Sequence, residues 1–356
     1  MSDHFTVMGC GFLATLVCAA IFFSITFKNA FLRERLLSVV LGFVPSLLVG
    51  VGIVVTAMWN PFDFVQDMTL IRFLVPLLAV LIVLAAVLLN KPFVVAVGVL
   101  IASIISVFGT GMFITFQSTW PVVLNKLLTI ACLWGYAMGY RVLSGLNPLP
   151  QIEGLVVGAG FVLLGLFGFA PMMLSVEATG IVAILLIAYV NSFRCSWGIA
   201  GAPVLGFVLG SMGLISYGEY LLPCFVIFSM FYFAELLVSL LKKCSLMPQY
   251  SDIVYNSVSA EAFSLGLPAD ALIRMVFATN FILLLLGFFQ IYAVNVYSLP
   301  AFAFILAVWQ QYRMLHWQQE SMTFKEVNKA LVQDVKQSIA DLLDWNKDKN
   351  KTDDHK

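Results

Sequence analysis

Apolar runs of roughly twenty residues, separated by short polar breaks, fill the chain from residue 8 to residue 315. A helix that crosses the hydrocarbon layer of a bilayer needs about 17 to 25 predominantly apolar residues. The pattern predicts about eleven of them, over residues 8–27, 36–58, 73–89, 93–116, 120–140, 154–170, 178–193, 198–216, 220–241, 271–292 and 299–315. Only Leu89-Asn90-Lys91-Pro92 separates the third from the fourth. The expected fold is all-α: a polytopic membrane helix bundle over residues 1–315.

Beyond residue 315 the period changes. From Phe324, the residues Val327, Leu331, Val335, Ile339, Leu342 and Trp345 recur at spacings of three and four, which predicts a cytoplasmic amphipathic helix within 316–345. Residues 318–345 carry three lysines against five acids, so a basic face for anionic lipid is not expected. The period alone fits a helix that meets a protein partner, or a solvated one resting near the membrane. Residues 346–356 are polar throughout and are expected to be disordered.

Composition agrees with a bilayer as solvent. The chain is 61% hydrophobic and 11% charged, against about 25% charged for a soluble domain. Formal net charge is zero, which argues against nucleic acid as a partner. The six cysteines lie mostly inside apolar runs without a CxxC pair, and His4, His316 and His355 fall outside the spans or at a span's end. A zinc site and a disulfide framework are not expected, and a paired-histidine haem is excluded on inventory.

Charge position sets the expected orientation. Met1 to Val7 holds no lysine or arginine, so the first run reads as a span rather than a signal peptide. Lys28, Arg33 and Arg35 follow it. Threading onward puts Lys91, Arg141, Arg194, Lys242, Lys243, Arg274 and Arg313 on one side and Asp63, Asp67, Glu177 and Glu219 on the other, with Arg72 the exception. The basic side is cytoplasmic, which predicts an external N-terminus and a cytoplasmic C-terminus.

Charges within the spans are few and are functional candidates by default. Lys126 enters the fifth span and has the reach to snorkel outward. Glu235, near the inner end of the ninth, reads either as a site residue or as the partner of Lys242 or Lys243. Other polar residues gather at cytoplasmic ends: Asn147 and Glu153 around the sixth span, Asn191 after the seventh, and Gly198-Ile199-Ala200-Gly201 opening the eighth. They read as the rim of one cytoplasm-facing cavity or as ordinary helix caps. The pairs Gly135/Gly139, Gly154/Gly158 and Gly206/Gly210 have the spacing of close helix packing.

Three stretches then carry a family resemblance: NPLPQIEGLVVG from Asn147, VNSFRCSWGIAGAPVLGFVLG from Val190, and AELLVSLLKK from Ala234 with SAEAFSLGLPADALIRMVF from Ser259. They resemble the Asn-x-x-Asp-Gly-x-Asp-Gly segment, the Gly-Asp-x-Gly-Ser segment with its glycine-rich span, and the acidic span with the histidine loop of the polyprenyl-phosphate N-acetylhexosamine-1-phosphate transferases. The resemblance covers most of the chain and is strong from Asn147 to Tyr292. It implies a bacterial cytoplasmic (inner) membrane, a polyprenyl phosphate acceptor, a UDP-sugar donor and Mg²⁺ held by carboxylates. It also implies in-line phosphoryl transfer driven by positioning and charge neutralisation.

The chain departs from that pattern where the chemistry sits. Leu89 and Asn90, followed by Lys91, stand where the family has an aspartate pair; Pro150 replaces the first aspartate of the Asp-Gly segment and Ile199 the metal-ligand aspartate; Ser257, Val258, Ser259 and Ala260 replace the histidine motif. Asn147, Glu153, Asn191 and Glu235 are retained, and with Asn90 and Lys91 they are the candidate cavity residues. Isoleucine and alanine neither bind Mg²⁺ nor move a proton. The first expectation is a catalytically degenerate relative that binds a polyprenyl phosphate or nucleotide-sugar-like ligand, or is a partner in envelope-glycan synthesis. The second is an active glycosyl-1-phosphate transferase with Mg²⁺ rebuilt around Glu153, assisted by Asn90, Asn147 and Asn191. The third is an unrelated transporter or channel, which requires polar groups near mid-membrane.

Overall fold

The computed structural model describes Leu13 and residues 70–89, 91–145, 149–190, 198–218, 220–245, 257–293 and 298–316. The predicted spans 8–27 and 36–58 (Leu13 apart) and the amphipathic tail helix lie outside the described residues. Among the described residues every regular element is helical.

Helices α1 (Leu70–Leu88) and α2 (Pro92–Thr110) pack side by side. Pro92 opens α2, where an N–H has no intrahelical acceptor to lose, and Gly111 closes it at φ 71°. Helix α3 (Val122–Gly139) tightens into a 3-10 turn, Tyr140–Gly145. Helices α4 (Leu149–Leu166) and α5 (Met172–Val190) pair next, and α6 (Gly198–Gly218) lies against α3. Then come α7 (Leu222–Phe228), α8 (Met230–Ser245), the short α9 (Val258–Ser264) and α10 (Ala269–Phe289), which ends in a 3-10 turn, Gln290–Ala293. A last helix, α11, covers residues 298–316.

Four helical stretches are long and apolar enough to cross a membrane: Pro92–Thr110, Val122–Ser144, Leu149–Leu166 and Ala269–Ala293; α7 with α8 makes a fifth if the bent pair is one span. The protein is therefore an all-helical membrane protein with four to five such spans among the described residues. The window in α4 is 78% buried against 33–39% in the other three. Helix α4 is thus the most enclosed of the four, while α2, α3 and α10 turn faces bearing Phe93, Phe108, Val123, Phe281 and Phe289 outward, as lipid-facing helices do.

Four elements differ from the apolar pattern. Helix α2 ends at Thr110, six residues before its predicted run does, and α5 begins at Met172, six residues before its own; the other two are α4 and the predicted ninth span. Helix α4 begins at Leu149, five residues before the predicted run, because Pro150 is tolerated in a first turn and Gln151 and Glu153 are buried rather than left in a loop. The predicted ninth span is not one rod, since α7 and α8 meet at 61°. Ser229 at the break has left α-helical geometry (φ −91°, ψ 10°), and its Oγ lies 2.9 Å from the Tyr136 hydroxyl. The main chain loses little there, since Ser229 N–H still donates to Phe225 O and Phe233 N–H to Ser229 O.

Glycines set how near the helices come. A Cβ on Gly158 would lie 2.8 Å from Val182 Cγ2 in the α4–α5 pair. One on Gly206 would lie 2.7 Å from Tyr140 Cβ and 3.0 Å from the Ala137 carbonyl oxygen, so α6 rests on the backbone of α3. Gly135 meets nothing within 4 Å. We expect Gly206→Ala to destabilise the protein by about 1–3 kcal/mol through overpacking against main chain, and Gly135→Ala to change stability by less than about 0.5 kcal/mol, both read by unfolding in detergent.

Candidate functional site

The chain order brings one end of α3, α4, α8, α9 and α10 together. Glu153 lies one turn into α4 and is 1% exposed, and neither carboxylate oxygen has a hydrogen-bond partner among the described residues. Asn280, from the middle of α10, is fully buried with both amide atoms unspent. Its side chain and the main chain of Tyr232 approach Glu153 without reaching hydrogen-bond geometry, and the Glu235 carboxylate is near enough to act on it electrostatically.

Three tyrosines close over this group. Ring centroids of Tyr136 and Tyr232 are 4.8 Å apart, those of Tyr140 and Tyr232 5.0 Å. Tyr232 donates its hydroxyl to the Tyr136 carbonyl at 2.8 Å, while the Tyr140 hydroxyl is buried without a partner among the described residues. All three are within electrostatic reach of Glu153.

Glu235 is placed differently. Its carboxylate accepts the Ser259 main-chain N–H at 2.9 Å and the Ser259 hydroxyl at 3.1 Å, which pins α9 to α8. Ser257 caps α9 by accepting the Ala260 N–H at 3.2 Å. The carboxylate that the sequence left as a site residue or a lysine partner is thus engaged by Ser259, in the first turn of α9.

The other candidates divide as follows. Glu153, Glu235, Ser257, Val258, Ser259 and Ala260 come together at this end of the bundle. Pro150 is buried in the first turn of α4, and Ile199 lies in the first turn of α6. Lys91 is exposed at the N-terminal boundary of α2, with no side-chain cap bond. Asn90, Asn147 and Asn191 lie outside the described residues. Lys126 is not directed at this group; its Nζ lies 5.0 Å from the centre of the Phe108 ring and 5.6 Å from that of Phe113. Asn280 and Tyr140 were not among the candidates drawn from the sequence. A lone amide between Thr279 and Phe281 in an apolar run was the available signal.

Mg²⁺ does not fit these residues. It keeps several waters and takes one or two carboxylates plus substrate phosphates in octahedral geometry. Here Glu235 is spent on Ser259, Glu153 is sealed from water, and no group of three or more His, Cys, Asp or Glu residues gathers among the described residues. The chain matches no known protein-family model, and no curated protein matches it. The family resemblance therefore rests on the three quoted stretches alone.

The two carboxylates carry opposite expectations. Glu153→Met removes an unpaired buried carboxylate at similar volume and should raise stability by about 1–3 kcal/mol. Glu235→Ala leaves the Ser259 N–H and hydroxyl unsatisfied and should lower stability by about 2–4 kcal/mol, with faster amide exchange at Ser259. Thermal or denaturant unfolding of both variants, with hydrogen exchange on the second, checks the pair.

Proposed function

We propose that this protein is a divergent relative of the polyprenyl-phosphate sugar-1-phosphate transferases that has lost the catalytic equipment. It keeps the site as a binding or partner surface for a polyprenyl phosphate or nucleotide-sugar-like ligand in envelope-glycan synthesis. The observation that carries this reading is convergence. Two of the three stretches likened to the family meet there: the first supplies Glu153, and the third supplies Glu235 and Ser259, to one end of the bundle. Sealed Glu153 and spent Glu235 favour this reading over an active enzyme with a rebuilt Mg²⁺ site.

The same proposal places the chain in a bacterial inner membrane with eleven spans, an external N-terminus and the Glu153 end toward the cytoplasm, on the strength of the lysine and arginine distribution. Helix α11 is the weakest of those spans, since Gln310, Gln311, Arg313 and His316 occupy its last turns. A transporter is the second reading. It is favoured by the 61° break between α7 and α8 together with the unpaired Glu153 and Asn280 inside the bundle.

Purified protein with undecaprenyl phosphate, Mg²⁺ and radiolabelled UDP-sugars should transfer no label to lipid beside an active family member, yet should bind the lipid phosphate saturably. Label in the lipid fraction would overturn the degenerate reading. Absence of binding combined with Glu153-dependent solute uptake in liposomes would replace it with the transporter. For orientation, Tyr220→Cys should react with an impermeant thiol reagent in intact cells and Lys91→Cys only after permeabilisation. The reverse pattern would invert the topology.

A further inference from the structure

At the end of the bundle opposite Glu153, three chain reversals meet and do not fill the space between them. They are the turn after α4, the turn at Tyr220–Leu221 before α7, and the 3-10 turn that ends α10. Together they leave a cavity of about 210 Å³. Its walls are apolar, from Phe169, Leu221, Pro223, Cys224 and Ile291. Behind Phe169 stand Phe288 and Tyr292, with ring centroids 6.4 Å and 5.7 Å away.

Two further residues line the cavity and are unlike its walls. Gln290 is 3% exposed; its Nε2 donates to the Ala293 carbonyl at 2.9 Å, and its Oε1 has no partner among the described residues. A buried amide oxygen left without a donor costs about 1–3 kcal/mol, and the terminal torsion of glutamine is soft enough to turn it toward an incoming group. Tyr220 has φ 59°, the only non-glycine residue with positive φ among the described residues, and its side chain is 87% exposed. Packing of that ring accounts for none of the strain, and such outliers gather where a ligand is held.

We propose that this cavity is a binding site for a single-ring apolar molecule carrying one hydroxyl donor, a phenol-like group, with the donor on Gln290 Oε1. Size and lining both select that class. A dry apolar cavity of about 150 Å³ takes benzene, so 210 Å³ admits a substituted ring. A charged head group would have no counter-charge among the described lining residues. The site is independent of the Glu153 end and of the function proposed for it. The ring belongs either to a soluble aromatic alcohol or to the head of a membrane-dissolved lipid, because Tyr220 opens the cavity at the bundle's surface.

The test uses the full chain in lipid nanodiscs and ¹⁹F NMR with two probes, 4-(trifluoromethyl)phenol and its methyl ether, which lacks the donor. Saturable binding of the phenol is expected, with the ether weaker by roughly fivefold, the size of one neutral hydrogen bond. In Gln290→Met the two probes should bind alike. Equal binding of both by the unaltered protein, or unsaturable partitioning of both, would overturn the proposal whether or not the variant folds. Displacement of the phenol by a lipid extract marks a membrane source, and displacement by an aqueous extract a soluble one.

Discussion

The contact of α6 with the main chain of α3 is the constraint on which the polar end of the bundle depends. Lipid tails are as apolar as leucine, so helices in a bilayer gain little by hiding apolar side chains from them and associate through close packing instead. Gly206 lets α6 reach Ala137 and Tyr140, and Gly210 lets it reach Leu133 and Tyr136 one turn further on. With its back against α6, the α3 ridge stacks Tyr136 and Tyr140 on Tyr232 of α8. Helix α8 in turn carries Glu235, and Glu235 holds Ser259 and α9. A wider α3–α6 spacing would remove the platform from under each later member.

The bend at Ser229 follows from the same packing. Phe228 turns its ring into the space left by Gly160 on α4 and Gly287 on α10, where any Cβ would collide with it. Bending there aims α8 back across the end of α3, and the hydroxyl pair of Tyr136 and Ser229 fixes the corner. The small residues of α4 and α10 and the aromatic of α7 thus determine where the acidic residue of α8 arrives.

Much of this was readable in the residues, and the failures have physical causes. Run length located α1, α3, α6 and α10 to within a few residues, because a long apolar run has few other uses. It misplaced the start of α4, since burial of Gln151 and Glu153 depends on neighbours that no local pattern encodes. It missed the bend, because Ser229 is an ordinary helix residue until Tyr136 and Phe228 act on it. Glu153 and Glu235 stood out as charges in apolar surroundings; Asn280 and Gln290 did not, because one amide lowers a window's hydropathy very little. Of the glycine pairs, Gly135 shares its partner's spacing yet faces open space. Spacing identifies a face, and only the fold says what meets it.

The two buried glutamates separate what a carboxylate contributes to structure from what it offers to a ligand. Glu235 exchanges hydration for two donors from one residue and becomes a clamp; its unpaired alternative would cost several kcal/mol, so conversion to any other task is opposed. Glu153 has made no such exchange. It lies among Asn280, Tyr140 and Tyr232 with acceptor and donor capacity left over on three of the four side chains' polar groups. A cluster of that kind is costly in a membrane interior, and apolar replacement would cost the fold nothing. Among the described residues the chemistry available there is neutral hydrogen bonding around Glu153, with no group of three or more His, Cys, Asp or Glu to hold Mg²⁺.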